Sequence, residues 1–385
     1  MLCVHFSNLY DSFTGNLIAL QHSPLAVELM DNNIIEAAYR NSTQKHNTFF
    51  IQGEPKAILI IEFAEQTTEY LEEKLQQTIE HFKKESSAYA FPIVYGGDIS
   101  RVWELRKAGL GLLTNVAGDC KPVSVIEDTA VAPERLPAYL SEFADLLSKY
   151  NLSCVYHAHI ATGELHLRPI LNLKDKKDVE LFRTISKEVA QLVKRHRGSL
   201  SGEHGDGRLR GEWIPLMYGE KIYSLMRLMK QTWDSENLFN KGKIIDTPPM
   251  NLSLRYEGLN QQNNSKKKFL NSKSYFFETK EKFLNSLEQC NGAADCRKSL
   301  QAGGKMCPTF QVSHNEWDSP RARANILRDK LSFSNKENPL ADKEIKKILD
   351  NCLMCKACKS ECPSNVDIAK FKSEFLQHYY TATHY

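Results

Sequence analysis

Seven of the ten cysteines lie between Cys290 and Cys362. The last four, in CLMCKACKSECP, are Cys352, Cys355, Cys358 and Cys362, spaced C-x2-C-x2-C-x3-C and followed by Pro363. This is iron–sulfur spacing: short loops let three thiolates converge on one cubane, while the fourth serves a second cluster. Structural zinc is the alternative, but zinc pairs separated C-x2-C knuckles and has no use for a further cysteine three residues on. An earlier stretch, EQCNGAADCRKSLQAGGKMCP, supplies Cys290, Cys296 and Cys307, with Pro308 after the last. If the crossing pattern holds, Cys307 completes a [4Fe-4S] site with Cys352, Cys355 and Cys358. The other site then has Cys290, Cys296 and Cys362, and Ala293 where a fourth thiolate would stand. Alanine cannot ligate iron, and a cubane without a ligand at one corner tends to lose that iron, so a [3Fe-4S] cluster is expected. Water or Asp295 on a fourth iron, or a site with no cluster, remain as alternatives.

A second set of chemically capable residues lies upstream. HAHIATGELHLRP carries His159 and His166 seven apart, and SGEHGDGRLRG carries Glu203 and His204 in a glycine-rich turn. A lone histidine on a strand is most simply a core residue. Two imidazoles flanking a glycine-containing turn, with a carboxylate nearby, instead form a mixed N/O set suited to a divalent ion with an open position. Zinc, manganese and iron all accept such a set. His157 lies outside the spacing and reads as incidental.

These residues must be positioned by a mixed scaffold. In the first 250 residues, PKAILIIEF reads as a buried strand. TTEYLEEKLQQTIEHFKKES reads as an amphipathic helix with Leu71, Leu75, Ile79 and Phe82 on one face. A helix over 176–197 aligns Phe182, Ile185, Val189 and Leu192 and stops at Gly198. From 259 to 275 the chain is polar and aperiodic, as a linker would be. The remainder reads as helices between cysteine knots, including SPRARANILRDKL and ADKEIKKILDNC. The expected organisation is α+β. Residues 1–255 form a domain with an antiparallel sheet and flanking helices, 256–278 a linker, and 279–385 a mainly helical iron–sulfur domain.

With 385 residues, 42% of them hydrophobic, and a formal net charge of +3, the chain can bury substantial cores. The balance gives no electrostatic argument for nucleic acid and a weak one for anionic membranes, so membrane association is at most peripheral. No stretch reaches the ~20 apolar residues of a spanning helix, and a cytoplasmic location is expected, including the inner face of the cytoplasmic membrane. Cysteines in that compartment are ligands or reactive thiols more often than disulfides. Cys3, Cys120 and Cys154 read as small buried hydrophobes.

The histidine and glycine motifs, with RVWELRKAGLGLL and FNKGKIID, resemble the C-terminal, cap-bearing half of FAD-linked oxidases acting on 2-hydroxy acids: D-lactate, D-2-hydroxyglutarate and glycolate dehydrogenases. The cysteine half resembles the two-cluster ferredoxin domain fused to large members, and the resemblance covers nearly the whole chain. It implies that His159, His166 and Glu203 hold a divalent metal that grips the substrate, and that His204 takes the hydroxyl proton as hydride leaves for FAD. It further implies that Arg106, by a bidentate fork, and Lys121, as a point charge, hold the substrate carboxylate. Gly205, Gly207, Asn240 and Lys243 would approach the flavin. Two departures stand out: Lys241 replaces a usual proline, and Ala161 a usual glycine.

No glycine-rich phosphate loop opens a helix, so FAD is expected to be held mostly by a domain or subunit outside this chain. The chain reads as an internal piece of a longer enzyme or one subunit of a split one, with D-lactate as first substrate expectation. Electrons would pass through the clusters to a quinone, cytochrome or other redox acceptor. The rival is a non-catalytic electron-transfer subunit that docks a separate flavoprotein.

Overall fold

The computed structural model describes residues 1–385 except 42–43, 114–117, 258–274, 335, 337 and 384–385. Most of the expected linker at 256–278 therefore lies outside the described residues. The chain divides into two compact units, Met1–Gly109 with Cys120–Arg255, and Leu110–Asp119 with Tyr256–Tyr385.

In the first unit the elements run β1 (Leu2–Phe6), α1 (Leu9–Gln21), β2 (Ala26–Asp31), α2 (Asn32–Arg40), β3 (Ala57–Glu62), α3 (Thr68–Glu85), α4 (Asp98–Leu113), β4 (Lys121–Pro122) and β5 (Thr129–Ala130). They continue through α5 (Leu136–Lys149), β6 (Cys154–His159), β7 (Glu164–Leu171), α6 (Lys176–Arg195), α7 (Ile214–Tyr218) and α8 (Glu220–Trp233). The last turn of α4 is grouped with the second unit. The strands form one seven-stranded sheet in the order β1-β3-β2-β6-β7-β4, with β5 also on β7. Every strand pair is antiparallel.

Alternation along the strands divides the sheet into two faces, because successive side chains point to opposite sides. Val4, Leu29, Leu59, Ala158, Leu165 and Leu167 belong to one buried core. They pack with Phe13 of α1, Leu75, Ile79 and Phe82 of α3, Phe143 of α5, and Phe182, Ile185 and Val189 of α6. The neighbouring positions face the other way. In register, Met30 meets His157, His157 meets His166, and His159 meets Glu164. The helix patterns read from sequence thus bury the residues expected. One detail differs: α6 ends at Arg195, and Arg197, not Gly198, takes the left-handed conformation at φ 57. Gly198 instead donates its N–H to Val193 O at 2.9 Å, closing the helix end.

The second unit contains α9 (Lys280–Glu288), α10 (Pro308–Ser313), α11 (Pro320–Phe333), α12 (Lys343–Asp350), α13 (Ala357–Glu361) and α14 (Ile368–Thr383). Ser319 caps α11 by accepting from the Ala322 N–H, with Pro320 at the first turn. Its core joins Phe283, Leu327, Ile345, Phe371 and Phe375 with Cys290, Cys296 and Cys358. Cys3 and Cys154 are buried as expected, whereas Cys120 is exposed and is no core residue. Among the described residues, no helix is long and apolar enough to cross a membrane.

Candidate functional site

The polar face of β2, β6 and β7 gathers the histidines. Between β6 and β7 the chain turns at Gly163, whose φ is +76 and where a Cβ would fall 1.8 Å from Val131 O. Only glycine fits there, and the resulting tight hairpin brings the His159 and His166 rings to 5.1 Å between centroids. Nε2 of His159, His166 and His204 lie 3.6, 3.8 and 3.6 Å from the same Glu203 Oε1. Ligand atoms ~2.1 Å from a tetrahedral ion stand ~3.4 Å apart, so this spacing fits a divalent metal. Glu164 joins His159, His166 and Glu203 in a cluster whose donor atoms all lie within 4.8 Å of one another. Glu164 Oε1 and His166 Nδ1 have no hydrogen-bond partner among the described residues.

Charged neighbours tune and fix these groups. His159 Nδ1 donates to Glu28 Oε1 at 2.8 Å, which assigns the lone pair to Nε2. That bond raises the His159 pKa. Burial pushes His166 down to about 4, against the opposing pull of Glu127 and with the Arg106 charge adding to the effect, so it is a neutral, ligand-competent imidazole. Burial, then the hydrogen bond with Asp128 and the Glu203 charge, push Glu164 up to about 7.

Asp128 organises the glycine-rich turn. Its side chain accepts from Glu203 N–H at 3.0 Å, from His204 N–H at 2.9 Å and from the Ser201 hydroxyl, while its carbonyl accepts from Gly202 N–H at 2.8 Å. Burial alone would raise its pKa, but these bonds hold it below the usual carboxylate value. Arg210 ties the same turn down by donating to Gly205 O at 3.0 Å and to Glu127 O. Gly205 and Gly207 have φ of +78 and +51, and a Cβ at either would meet nothing within 4 Å, so the turn is open to a close-lying ligand. Ile244 N–H donates to Gly207 O at 2.8 Å, which brings the late motif to this turn, where Lys243 Nζ donates to Asn240 Oδ1 at 3.2 Å.

The two expected carboxylate-binding cations fare differently. Arg106, on α4, stands beside the histidines but is buried, with Nη2 donating to Glu28 Oε2 at 2.6 Å and Nη1 3.5 Å from His157 Nδ1. The expected fork is therefore already engaged by Glu28 through Nη2 and His157 through Nη1, and Nε has no hydrogen-bond partner among the described residues. Lys121 pairs with Leu171 in register, five residues along β7 from His166, ~17 Å at strand spacing. The structure does not bring it to the histidine cluster.

Sequence reading missed Glu28, Glu127, Asp128, Glu164 and the packing role of His157. His157 is buried between Arg106 and His166, its rings and charges holding it neutral: burial first, then Arg106, push its pKa well below the usual value. Glu28 left a signal, since it is the one carboxylate inside the apolar run of AVELM. Asp128 left none, because the Ser201, Glu203 and His204 groups that it holds lie more than 70 residues away.

The cysteines form the two groups expected from the crossing pattern. Cys307, Cys352, Cys355 and Cys358 line one cleft together with Arg323. Cys307, Met354 and Lys356 adopt positive φ of 56, 56 and 64, turns that aim consecutive cysteines inward. In the other group, burial first and then the nearby Cys290 and Cys362 push the Cys296 thiol up to about 11. Asp295 neighbours Cys362 and is paired with Lys298 Nζ at 2.5 Å. Asn325 Nδ2 donates to Cys290 Sγ at 3.6 Å. All ten cysteines are free of disulfides, and two convergent sets of thiols suit iron–sulfur ligation.

Comparison with known proteins agrees with both halves. Residues 5–244 match the FAD linked oxidases, C-terminal domain, and residues 286–366 match the 4Fe-4S dicluster domain. The D-2-hydroxyglutarate dehydrogenases of Pantoea ananatis and Escherichia coli are 29% and 28% identical, each over 97% of this chain and 40% of the relative. A D-lactate dehydrogenase of Archaeoglobus fulgidus is 22% identical over 64% of this chain and 51% of its own length. The chain thus spans about 40% of the length of the first two relatives. With more than half its residues matched by one family, the chain belongs to the FAD linked oxidases, through their C-terminal domain.

Proposed function

We propose that this chain forms the substrate-side and electron-exit part of an FAD-dependent 2-hydroxy acid dehydrogenase acting on D-2-hydroxyglutarate. The observation that carries the reading is the convergence of three imidazole Nε2 atoms on one Glu203 oxygen. D-lactate headed the sequence expectation. Relatives named for D-2-hydroxyglutarate cover nearly the whole chain, which supports placing that substrate first.

His159, His166, Glu203 and Glu164 would hold a divalent ion, which supplies Lewis-acid polarisation of the substrate hydroxyl, while FAD supplies the hydride acceptor. Glu28 fixes the His159 tautomer and so aims its Nε2 inward. His204, 42% exposed at its side chain and held at the backbone by Asp128, accepts the hydroxyl proton at Nε2. Arg106 contributes positive charge toward the substrate carboxylate from its buried pair with Glu28. Gly205, Gly207, Asn240 and Lys243 would offer an open surface to the flavin.

Cys307, Cys352, Cys355 and Cys358 would hold a [4Fe-4S] cluster, and Cys290, Cys296 and Cys362 a [3Fe-4S] cluster, since Ala293 offers no ligand. Clusters held there would supply one-electron exit to a quinone, cytochrome or other redox acceptor.

The test is dye reduction by the chain co-expressed with an FAD-binding half and loaded with metal. D-2-hydroxyglutarate should be turned over faster than D-lactate or glycolate, and His204→Ala should lower kcat by ~10²–10⁴-fold. Unchanged turnover in that variant would defeat the assigned role, and no turnover with any 2-hydroxy acid would favour the electron-transfer subunit.

A further inference from the structure

Arg323 is the largest of the fully buried side chains, 1% exposed, and it sits on α11 against the cysteine cleft. Its Nη1 donates to Cys307 Sγ at 3.4 Å, its Nη2 to Asp318 Oδ1 at 3.4 Å, and its Nε to Ile348 O at 3.4 Å. Burying a guanidinium is unfavourable unless it is paired. Asp318 provides that pairing, and it also accepts from Asn351 Nδ2 at 2.9 Å. A purely structural ion pair would need no sulfur. Here the third donor direction of the fork ends on the thiol of the residue grouped with Cys352, Cys355 and Cys358.

We propose that Arg323 sets the reduction potential of the cluster held by these four cysteines, acting through Cys307. The proposal rests on the assignment of a [4Fe-4S] cluster to that cleft. As a thiol, Cys307 donates to Asp318 O at 3.2 Å. As a thiolate ligand it loses that proton and becomes an acceptor only, so the charged donor that remains to it is Arg323. One-electron reduction adds negative charge to the cluster and its sulfurs. A buried cation at hydrogen-bond distance stabilises the reduced form more than the oxidised one, which raises the potential. Asp318 has the opposite sign and offsets part of the effect. The pair is therefore a two-handed adjustment: removing the cation should lower the potential, and removing the anion should raise it.

The experiment uses the full chain, reconstituted anaerobically with ferrous iron and sulfide, and titrated with dithionite as reductant and ferricyanide as oxidant while EPR follows the reduced [4Fe-4S] signal. Arg323→Gln keeps donors and removes the charge, and is expected to weaken stabilisation of the reduced cluster at least tenfold, a fall of ~59 mV for one electron. Asp318→Asn should shift the potential upward, and Arg323→Lys should recover part of the loss. The cluster at Cys290, Cys296 and Cys362 serves as internal reference and should not move. An iron-loaded Arg323→Gln chain with unchanged potential would overturn the proposal. If that variant fails to retain iron, Asp318→Asn decides: an upward shift supports the proposal and no shift overturns it. A wild-type chain that takes up no iron would instead sink the cluster assignment, and the proposal with it.

Discussion

The histidine face and the cysteine loops collect ligands in different ways. The histidine site is assembled on a rigid sheet from β2, β6, β7 and a turn around Glu203, and its organisers, Glu28 and Asp128, lie 131 residues before His159 and 75 before Glu203. Each ligand is positioned by long-range pairing that also builds the core. The cysteine site is assembled from short loops, with left-handed turns at Cys307, Met354 and Lys356 that have a steric cost of roughly 1–2 kcal/mol per non-glycine residue. Such strain persists only where the surroundings over-determine it. The first site is thus held by long-range strand pairing, and the second by short strained loops packed on the helices of its own unit.

This contrast is open to attack, beginning with the largest effect. Cys358→Ala should abolish the cluster in its cleft and destabilise the second unit, read as lost iron and a lower thermal midpoint of that unit, with the first unit's midpoint unchanged. Co-unfolding of both units would blur the distinction. By comparison, Asp128→Ala should leave iron content intact and weaken divalent-metal binding ~10–100-fold, as outer-shell losses do, measured by calorimetric titration with manganese. Metal binding at wild-type strength would show that the fold alone holds the turn.

A pH prediction follows from His5 and His166, both driven down to about 4 chiefly by burial, from 6.5. Between those values the unfolded chain binds protons that the folded chain does not, so stability should fall as pH drops from about 6.5 toward 4. Urea unfolding of His5→Gln should show a shallower acid slope; an unaltered slope would exclude it as a source. Smaller still, Glu164→Gln should weaken metal affinity less than Glu203→Gln, because the three imidazole Nε2 atoms converge on Glu203 Oε1 and not on Glu164. The subtlest change is Ala293→Cys, expected to convert the oxidised [3Fe-4S] EPR signal into a reduced [4Fe-4S] signal without altering the fold.

Legibility follows the same division. Cysteine spacing reports geometry directly, because Cys352, Cys355 and Cys358 sit within seven residues, and the structure places Cys307 in the same cleft. The amphipathic stripes of α3 and α6 were equally plain. The histidine cluster was readable as a motif, but the pairing that supports it was not. Glu28 touches His159 and Arg106 only because β2 pairs with β6 across most of the domain, and no local pattern encodes that register. Lys121 shows the reverse failure: a charged residue at a suggestive sequence position is carried along β7, away from the cluster.

The hairpin between β6 and β7 has one more consequence. Its side chains alternate between apolar residues bound for the core (Tyr156, Ala158, Leu165 and Leu167) and histidines on the opposite face, so a slip of one residue would exchange the two sets. Imidazoles would then enter the packed interior and apolar side chains would occupy the histidine face. A mis-registered chain is therefore unstable before it can be catalytically wrong. The alternation acts as a proofreading device, since the same pairing that lets the domain fold certifies that its chemistry is in place.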